Sequence, residues 1–321
     1  MTGRRGTAVA IALLAALATA GCGLGPGEGR GDVELTVTRD FGAESLLGHS
    51  VGDVTESDTV MRVLDRNAEI TTRYGGGFVQ SIDGLEADRS FGDSYDWFFY
   101  VNGVESTVGA ADYRLRGGER IWWDYREWSE AMRVPAVVGS WPQPFAGGYE
   151  GKRRPVSVEC QGGGQACAEA RKRLEQVGAD VTNGAPVGAI RVLVGPWAQL
   201  RRDPAASQIE DGPQASGVFA DFAPAAPSAV PFVPYADKRN SGGFGRLWGL
   251  DREGQGVRPF EPGAGLVAAT RRYDAPPVWV VTGATAAGVH AAAGLLDAAD
   301  LRDHYAVATE DGEEIPLPMG S

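Results

Sequence analysis

The sequence predicts an α+β domain followed by an α/β layered domain with a largely parallel sheet. The chain has 321 residues, of which 43% are hydrophobic and 22% charged, as is typical of folded globular proteins. That length suits two domains of ordinary size. From residue 33 the pattern gives one strand, one helix and several short strands, whereas from residue 153 strands and helices alternate. We expect domains over 33–128 and 153–321, joined by a linker over 129–152.

The first 21 residues are predicted to be a signal peptide. Two arginines, Arg4 and Arg5, precede an uncharged apolar stretch over 8–20 that is too short for a hydrocarbon core needing about 20 residues. Two cleavage sites compete. Ala18-Thr19-Ala20 fits ordinary cleavage, which would secrete the protein. Thr19-Ala20-Gly21-Cys22 resembles the bacterial lipobox, in which the cysteine is acylated, although Thr19 replaces the usual leucine.

The residues after Cys22 favour the lipoprotein. Positions 22–32 are rich in glycine, and such a sequence forms a flexible tether. A tether lets an anchored domain stand off the membrane. We therefore expect a lipid on Cys22, at the extracytoplasmic face of the cell membrane, and we expect this lipid to be the only contact with the membrane.

Cysteine usage agrees with export. The chain has three cysteines, Cys22, Cys160 and Cys167. An odd thiol is a liability in an oxidising compartment, so acylation of Cys22 would leave Cys160 and Cys167 to form a disulfide. Two other interpretations stay open: the pair could be free buried residues, or half of a zinc site without a nearby histidine.

The N-terminal domain has the pattern of a small α+β fold of the β-grasp type. Thr59 is expected to cap the helix, and Asn102-Gly103 predicts a hairpin turn because both positions tolerate positive φ. The expected elements are a strand over 33–38, a helix within 55–67, and strands over 78–82, 97–101, 113–115 and 120–125.

Three runs in this domain carry a resemblance. They read YGGGFVQSIDG over 74–84, DWFFYVNG over 96–103 and YRLRGGERIWWDY over 113–125. These runs resemble the transcobalamin-like C-terminal domain, a β-grasp module of bacterial surface proteins that also ends the vertebrate cobalamin carriers. The resemblance implies a β-grasp fold and a corrinoid or other small ligand. The helical barrel of those carriers has no counterpart in this sequence.

The C-terminal domain alternates strands with helices. The run Pro277-Val278-Trp279-Val280-Val281 is continuously apolar, as in a strand covered on both faces, and prolines make 223–234 a loop. The expected strands cover 155–159, 189–194, 217–222, 246–250, 265–270, 277–281 and 305–308, and the expected helices cover 166–177, 198–209 and 286–299.

One motif resembles a catalytic one. The residues around Ser50 match G-x-S-x-G, the nucleophile elbow of α/β-hydrolases. That elbow needs a central strand before it and a helix after it, and the expected domain supplies one strand only. We interpret the segment as a loop and name no catalytic residue. A hydrolase with its active site in the α/β domain remains an alternative function.

The aromatic strand near residue 122 is the candidate binding surface. Alternation places Ile121, Trp123 and Tyr125 on one face and Trp122 on the other. A small domain has one core, so one face must pack against the second domain or contact a ligand. The predicted ligand-binding residues are Tyr74, Gly76, Phe78, Trp122, Trp123 and Tyr125.

These observations predict a non-catalytic bacterial surface lipoprotein that binds a ligand or an envelope partner. The more specific prediction is a corrinoid-type uptake ligand, and the more general prediction is an envelope protein or glycan. A structural or protein-interaction module of the envelope is an alternative. The net charge of −12 argues against nucleic acid, and no motif has HExxH or EF-hand spacing, so neither a metal nor a cofactor is expected.

The lipid anchor can be tested in a bacterial host. Full-length protein should partition into the detergent phase, and Cys22→Ser should release it or block its processing, because the thiol that accepts the lipid is gone. Phase separation and mass spectrometry of the mature N-terminus measure both effects. An unlipidated mature protein that begins at Gly21 would contradict the lipoprotein interpretation.

Overall fold

A computed structural model of the chain describes residues 29–88, 94–162, 164–224 and 244–320. The predicted signal peptide and Cys22 lie outside these residues, as does the predicted loop from residue 225 onward. Within the described residues the chain is a mixed α/β structure dominated by strands. It forms several sheets, and some of their strands pair in parallel.

The N-terminal part is built mainly of strands. Its elements are β1 (Gly29–Arg39), β2 (Glu44–Thr55), α1 (Val60–Asn67), β3 (Ile70–Arg73), β4 (Phe78–Ile82), β5 (Leu85–Glu86), β6 (Tyr95–Val101), β7 (Val104–Glu105) and β8 (Arg120–Glu127). One sheet has the strand order β2-β1-β8-β6-β7, in which only β1 and β8 pair in parallel. The strands β3, β4 and β5 form a small antiparallel sheet of their own.

Several local predictions for this part are confirmed. Thr59 caps α1, and its hydroxyl accepts a hydrogen bond from Arg62 N at 3.2 Å. The hairpin turn at Asn102-Gly103 joins β6 to β7, and both residues have positive φ. Strand β4 covers the predicted range 78–82.

Three predictions for this part are wrong. Strand β1 begins at Gly29 rather than at residue 33, because Gly29 and Gly31 pair with β2. Strand β2 lies where no strand is predicted, and it contains Ser50, for which the sequence predicts a loop. The predicted strand over 113–115 makes a single bridge, between Arg114 and Thr59.

The C-terminal part contains the remaining elements. They are β9 (Val156–Cys160), α2 (Gly164–Gln176), β10 (Val181–Thr182), β11 (Ile190–Pro196), α3 (Trp197–Leu200), α4 (Pro213–Ser216), β12 (Ala220–Pro224), β13 (Phe244–Leu250), β14 (Gly256–Pro259), β15 (Gly265–Thr270), β16 (Val278–Gly283), α5 (Ala286–Gly294), α6 (Ala298–Leu301), β17 (Ala306–Glu310) and β18 (Glu313–Leu317). The segment 198–209, for which the sequence predicts a helix broken at Pro204, forms the short α3 and a 3₁₀ helix at Ala206–Asp211 on the two sides of that proline.

The main C-terminal sheet is parallel in one half only. Its strand order is β10-β9-β11-β16-β15-β17-β18. The strands β10, β9, β11 and β16 pair in parallel, whereas β15, β17 and β18 pair antiparallel. The strict alternation of strands and helices is interrupted from β12 to β16, five strands with no helix between them in the described residues. After α6, β17 and β18 form a hairpin around the positive-φ residues Asp311 and Gly312.

The predicted disulfide is confirmed. Cys160 and Cys167 are bonded, with their Cα atoms 5.9 Å apart. Cys160 ends β9 and Cys167 lies in the first turns of α2, so the bond ties a strand end to the helix that follows it.

The two faces of the aromatic strands pack against different parts of the protein. Trp123 and Tyr125 lie in a core with α1, whereas Tyr100 and Trp122 lie in a core with residues of the C-terminal part such as Tyr305. The prediction that one aromatic face packs against the second domain is therefore confirmed for the face that carries Trp122. The predicted linker 129–152 contributes many buried side chains to the neighbouring cores: Ala131, Val134, Ala136, Val137, Val138, Trp141, Phe145 and Tyr149.

Trp122 is fully enclosed. Its Nε1 donates to Thr38 Oγ1 at 2.8 Å, and its ring meets Tyr305 edge-on with centroids 5.3 Å apart. A side chain at Gly139 would collide with the indole and with the backbone of His304. Trp122 therefore holds the two parts together from within, and the sequence had left open which aromatic face would be covered.

Replacing Trp122 tests this packing. Trp122→Ala should lower the free energy of unfolding by about 3–5 kcal/mol, because it leaves a cavity between two packed parts. Tyr273→Ala is the matched control, since Tyr273 is 78% exposed and should change stability by less than about 0.5 kcal/mol. Urea unfolding measures both, and equal stability of the two variants would contradict the packing.

Candidate functional site

A groove of about 520 Å³ opens at the surface beside β6. Ligand sites of small molecules have volumes of about 300–1,000 Å³ and mostly apolar walls. The walls here are mostly aromatic and aliphatic, and the side chains that shape them include Met61, Phe78, Phe98, Trp123, Trp128 and Met132.

The groove exists because β6 is nearly an edge strand. On its inner side β6 pairs with β8 along its full length. On its outer side β7 pairs only with Tyr100 and Val101, and Asp88 forms a bridge with Tyr95. Between these points, residues 96–99 have no neighbouring strand among the described residues.

The groove follows the backbone edge of β6. Trp97 and Phe99 project to the α1 side of the sheet and Phe98 and Tyr100 to the other side, yet all four line the groove. A groove over one face of a sheet would be lined by one set only. The open edge of the strand is therefore part of the groove floor.

Arg126 supports one wall of the groove from behind, without lining the groove itself. This side chain is fully buried, and its guanidinium carbon lies 3.8 Å from the centroid of the Phe98 ring. The same guanidinium donates to the carbonyl oxygens of Ala131 at 2.6 Å and Met132 at 3.2 Å. Arg126 thereby fixes both Phe98 and the backbone that carries Met132 to the rim.

The opposite wall follows a glycine turn. Tyr74, Gly75 and Gly76 all have positive φ, a conformation that glycine adopts without a steric penalty. The turn leads into Phe78, whose ring meets Tyr74 edge-on at 6.4 Å.

Exposed apolar side chains concentrate at this groove. In the described part of the chain, eight large hydrophobic side chains are exposed. Phe78, Val108 and Met132 line the groove, and Tyr74 contacts Phe78 beside it. Such a contiguous exposed cluster marks an interaction site more often than scattered exposed residues do.

One buried hydrogen-bond donor beneath the groove has no partner among the described residues. Trp123 lines the groove while being only 2% exposed, and its Nε1, which is closed to solvent, makes no hydrogen bond to any described residue. A buried indole N–H usually has an acceptor. Because Nε1 is closed to solvent, a ligand in the groove would contact the ring of Trp123 rather than this donor.

The charged side chains that line the groove are both acidic. They are Asp96 and Glu105. Asp96 Oδ1 accepts from Trp97 N at 2.9 Å, and Glu105 accepts two hydrogen bonds from the exposed Arg133 at 2.8 and 2.9 Å. A ligand with donors or positive charge at its ends would meet these carboxylates.

The structure places four of the predicted ligand-binding residues at or beside the groove and two in the interior. Phe78 and Trp123 line the groove, and Tyr74 and Gly76 belong to the turn beside it. Tyr125 is buried with its hydroxyl donating to Glu86 O at 2.8 Å, and Trp122 lies inside the core. Ligand binding by these residues stays a prediction.

Sequence reasoning missed much of the groove. It did not select Met61, Phe98, Trp128 or Met132. The turn at Asn102-Gly103 predicts a hairpin but not the length of β7, so no local signal showed that most of β6 would be left uncovered.

The other motifs do not assemble a site in the described residues. Ser50 lies in β2, an exposed edge strand, rather than between a central strand and a helix, and the neighbouring His49 Nε2 is 2.9 Å from Asn67 Oδ1. Across the described ranges no group of three or more His, Cys, Asp or Glu residues could hold a metal ion. Among those residues, none of the helices has the length and apolar character that crossing a membrane requires.

Comparison with known proteins gives limited matches. A family described as a domain of unknown function (DUF4430) matches residues 57–127. No curated protein matches the chain. The DUF4430 range lies inside the region whose sequence resembles the transcobalamin-like domain, and it holds most of the groove residues.

Two solved structures are each similar to 30% of this chain. One, described as a candidate metal-binding protein from Ruminococcus gnavus ATCC 29149, is 16% identical, with 30% of this chain and 97% of that chain covered. The other is haptocorrin in complex with Cbi, which is 19% identical, and this chain spans 26% of its length. Both TM-scores are 0.24, so neither likeness establishes a shared ligand.

A neutral dye can test the groove. Nile red should bind with a blue-shifted emission, and Met132→Lys should weaken that binding severalfold by placing a charge at the apolar rim. Val257→Lys is the matched control, because Val257 is also about half exposed but lies on β14. Fluorescence titration measures both, and equal dye affinity of the two variants would contradict this assignment.

Proposed function

We propose that this protein is a non-catalytic binding protein of the bacterial cell surface, and that the groove along β6 holds its ligand. The observation that carries the proposal is the cluster of exposed apolar side chains around a groove of about 520 Å³. A large exposed apolar cluster of this kind commonly marks an interaction site. A ligand in the groove would cover the cluster.

The remaining sequence predictions extend this proposal. The protein would be anchored through a lipid on Cys22 after removal of residues 1–21, with 22–32 as the tether. Its domains would be a β-grasp module over 33–128 and an α/β domain over 153–321, with 129–152 between them. The confirmed disulfide between Cys160 and Cys167 supports export, because such bonds persist in oxidising compartments.

A corrinoid is the small-molecule version of the ligand. The sequence resemblance to the transcobalamin-like domain supports it, and so do the aromatic walls and the acidic rim. Amide groups at the edge of a corrinoid would donate to Glu105, and the macrocycle would pack against the aromatic walls. An envelope protein or glycan is the broader alternative.

Tryptophan fluorescence tests this version. A corrinoid should quench the emission saturably with micromolar affinity, about −8 kcal/mol, because Trp97, Trp123 and Trp128 line the groove. Phe78→Ala should weaken binding about tenfold by removing one apolar wall. The matched control is Tyr273→Ala, an exposed aromatic residue of the C-terminal part, which should bind like the unchanged protein.

Two results separate the outcomes. Saturable quenching that is equal in Phe78→Ala and in the control would place the ligand elsewhere and overturn the groove as the site. Absence of saturable quenching with several corrinoids, in folded protein, would remove the corrinoid version and leave the groove to another ligand.

A further inference from the structure

We propose that the groove takes an extended peptide segment of a partner protein, which adds as a strand to the open edge of β6. The inference rests on the proposed function of the groove as the ligand site, and it names the class of ligand. Strand addition needs an exposed sheet edge with free backbone groups and side-chain pockets on both sides of it. Each of these is present.

The backbone of β6 presents its free groups to the groove. Trp128 N donates to Ser94 O at 2.9 Å and Asn102 N donates to Arg120 O at 2.8 Å, so even-numbered positions of this strand bond to β8. In an antiparallel pair the intervening positions point their N–H and C=O groups the other way. The outward bonding of Tyr95 with Asp88 confirms this alternation.

Two residues are therefore available for strand addition, Trp97 and Phe99. The N–H of Trp97 is already bonded to Asp96 Oδ1. Its carbonyl oxygen and both backbone groups of Phe99 face the groove. These two acceptors and one donor match two donors and one acceptor of an added strand.

The gap sets the length of the added segment. It runs from Asp96 to Phe99, between the bridge at Tyr95 and the start of β7 pairing at Tyr100. A strand rises about 3.4 Å per residue, so about four residues of a partner fit the gap.

The edge also lacks the usual protection. Native edge strands are commonly blunted by lysine, proline or a covering element. The sequence of β6, YDWFFYV, has neither lysine nor proline, and apolar side chains surround its open stretch. An edge of this kind is suited to pairing.

Side chains and charge define the chemistry of the partner. Alternate residues of an added strand would enter two apolar areas, one near Met61 and Trp123 and one near Phe98 and Met132. The charged lining residues are acidic, and the whole chain carries a net charge of −12. The segment is therefore apolar and flanked by lysine or arginine, which would approach Glu105 beside Arg133.

A synthetic peptide tests strand addition on the full protein. The probe is acetyl-Lys-Val-Phe-Val-Phe-Lys-amide, and calorimetry measures its affinity. Two further versions carry N-methyl groups on alternate amides, one on the odd and the other on the even positions. One version should bind about tenfold more weakly and the other like the parent peptide, because only one set of peptide N–H groups faces β6.

Protein variants locate the peptide. Phe78→Ala should weaken peptide binding severalfold, and Tyr273→Ala should leave it unchanged. Equal affinity of the two N-methylated versions would overturn strand addition, as would peptide binding that is indifferent to Phe78→Ala.

The peptide result and the proposed function can fail separately. If Nile red or a corrinoid binds in a manner sensitive to the groove variants while the peptide does not bind, this inference is overturned and the groove remains the ligand site. If none of the probes binds the folded protein, both are overturned. Self-association of the protein that Met132→Lys abolishes would assign the edge to a second copy and overturn the peptide partner.

Discussion

The carboxylate of Asp124 joins the two parts of the protein at a point that water does not reach. Its Oδ1 accepts from Thr38 Oγ1 at 2.5 Å and from Gly42 N at 3.2 Å, and its Oδ2 accepts from Phe41 N at 3.1 Å and from Tyr305 OH at 2.9 Å. Burial raises the pKa of Asp124 to about 6, although these donors oppose the shift. A buried carboxyl is tolerated when its oxygens are so completely bonded.

The position of the candidate site follows from this junction. Strand β8 alternates its side chains, so fixing Asp124 against the C-terminal part also fixes Trp122 and Arg126 on the same face. Trp122 fills the interior, whereas Arg126 reaches Phe98 and the backbone of Met132. The buried face of the sheet thus ends in a side chain that shapes one wall of the groove.

The junction at Asp124 and the edge of β6 differ in whether their polar groups have hydrogen-bond partners. Around Asp124 every carboxylate oxygen has donors, whereas along residues 96–99 of β6 no described strand pairs with the outward side of the backbone. Unpaired backbone groups at a sheet edge can bond an added strand. A peptide ligand of the kind proposed would complete this edge of the sheet.

Local patterns in the sequence determined the cap at Thr59, strand β4, the turn at Asn102-Gly103 and the disulfide, because each depends on neighbouring residues and on export chemistry. Alternation also separated Trp122 from Trp123. Which face would be covered, and that β7 would stop after two residues and leave β6 open, depended on contacts between residues far apart in the chain, as between Trp122 and Tyr305. Periodicity assigns a side chain to a face, but only the tertiary structure decides what packs against that face.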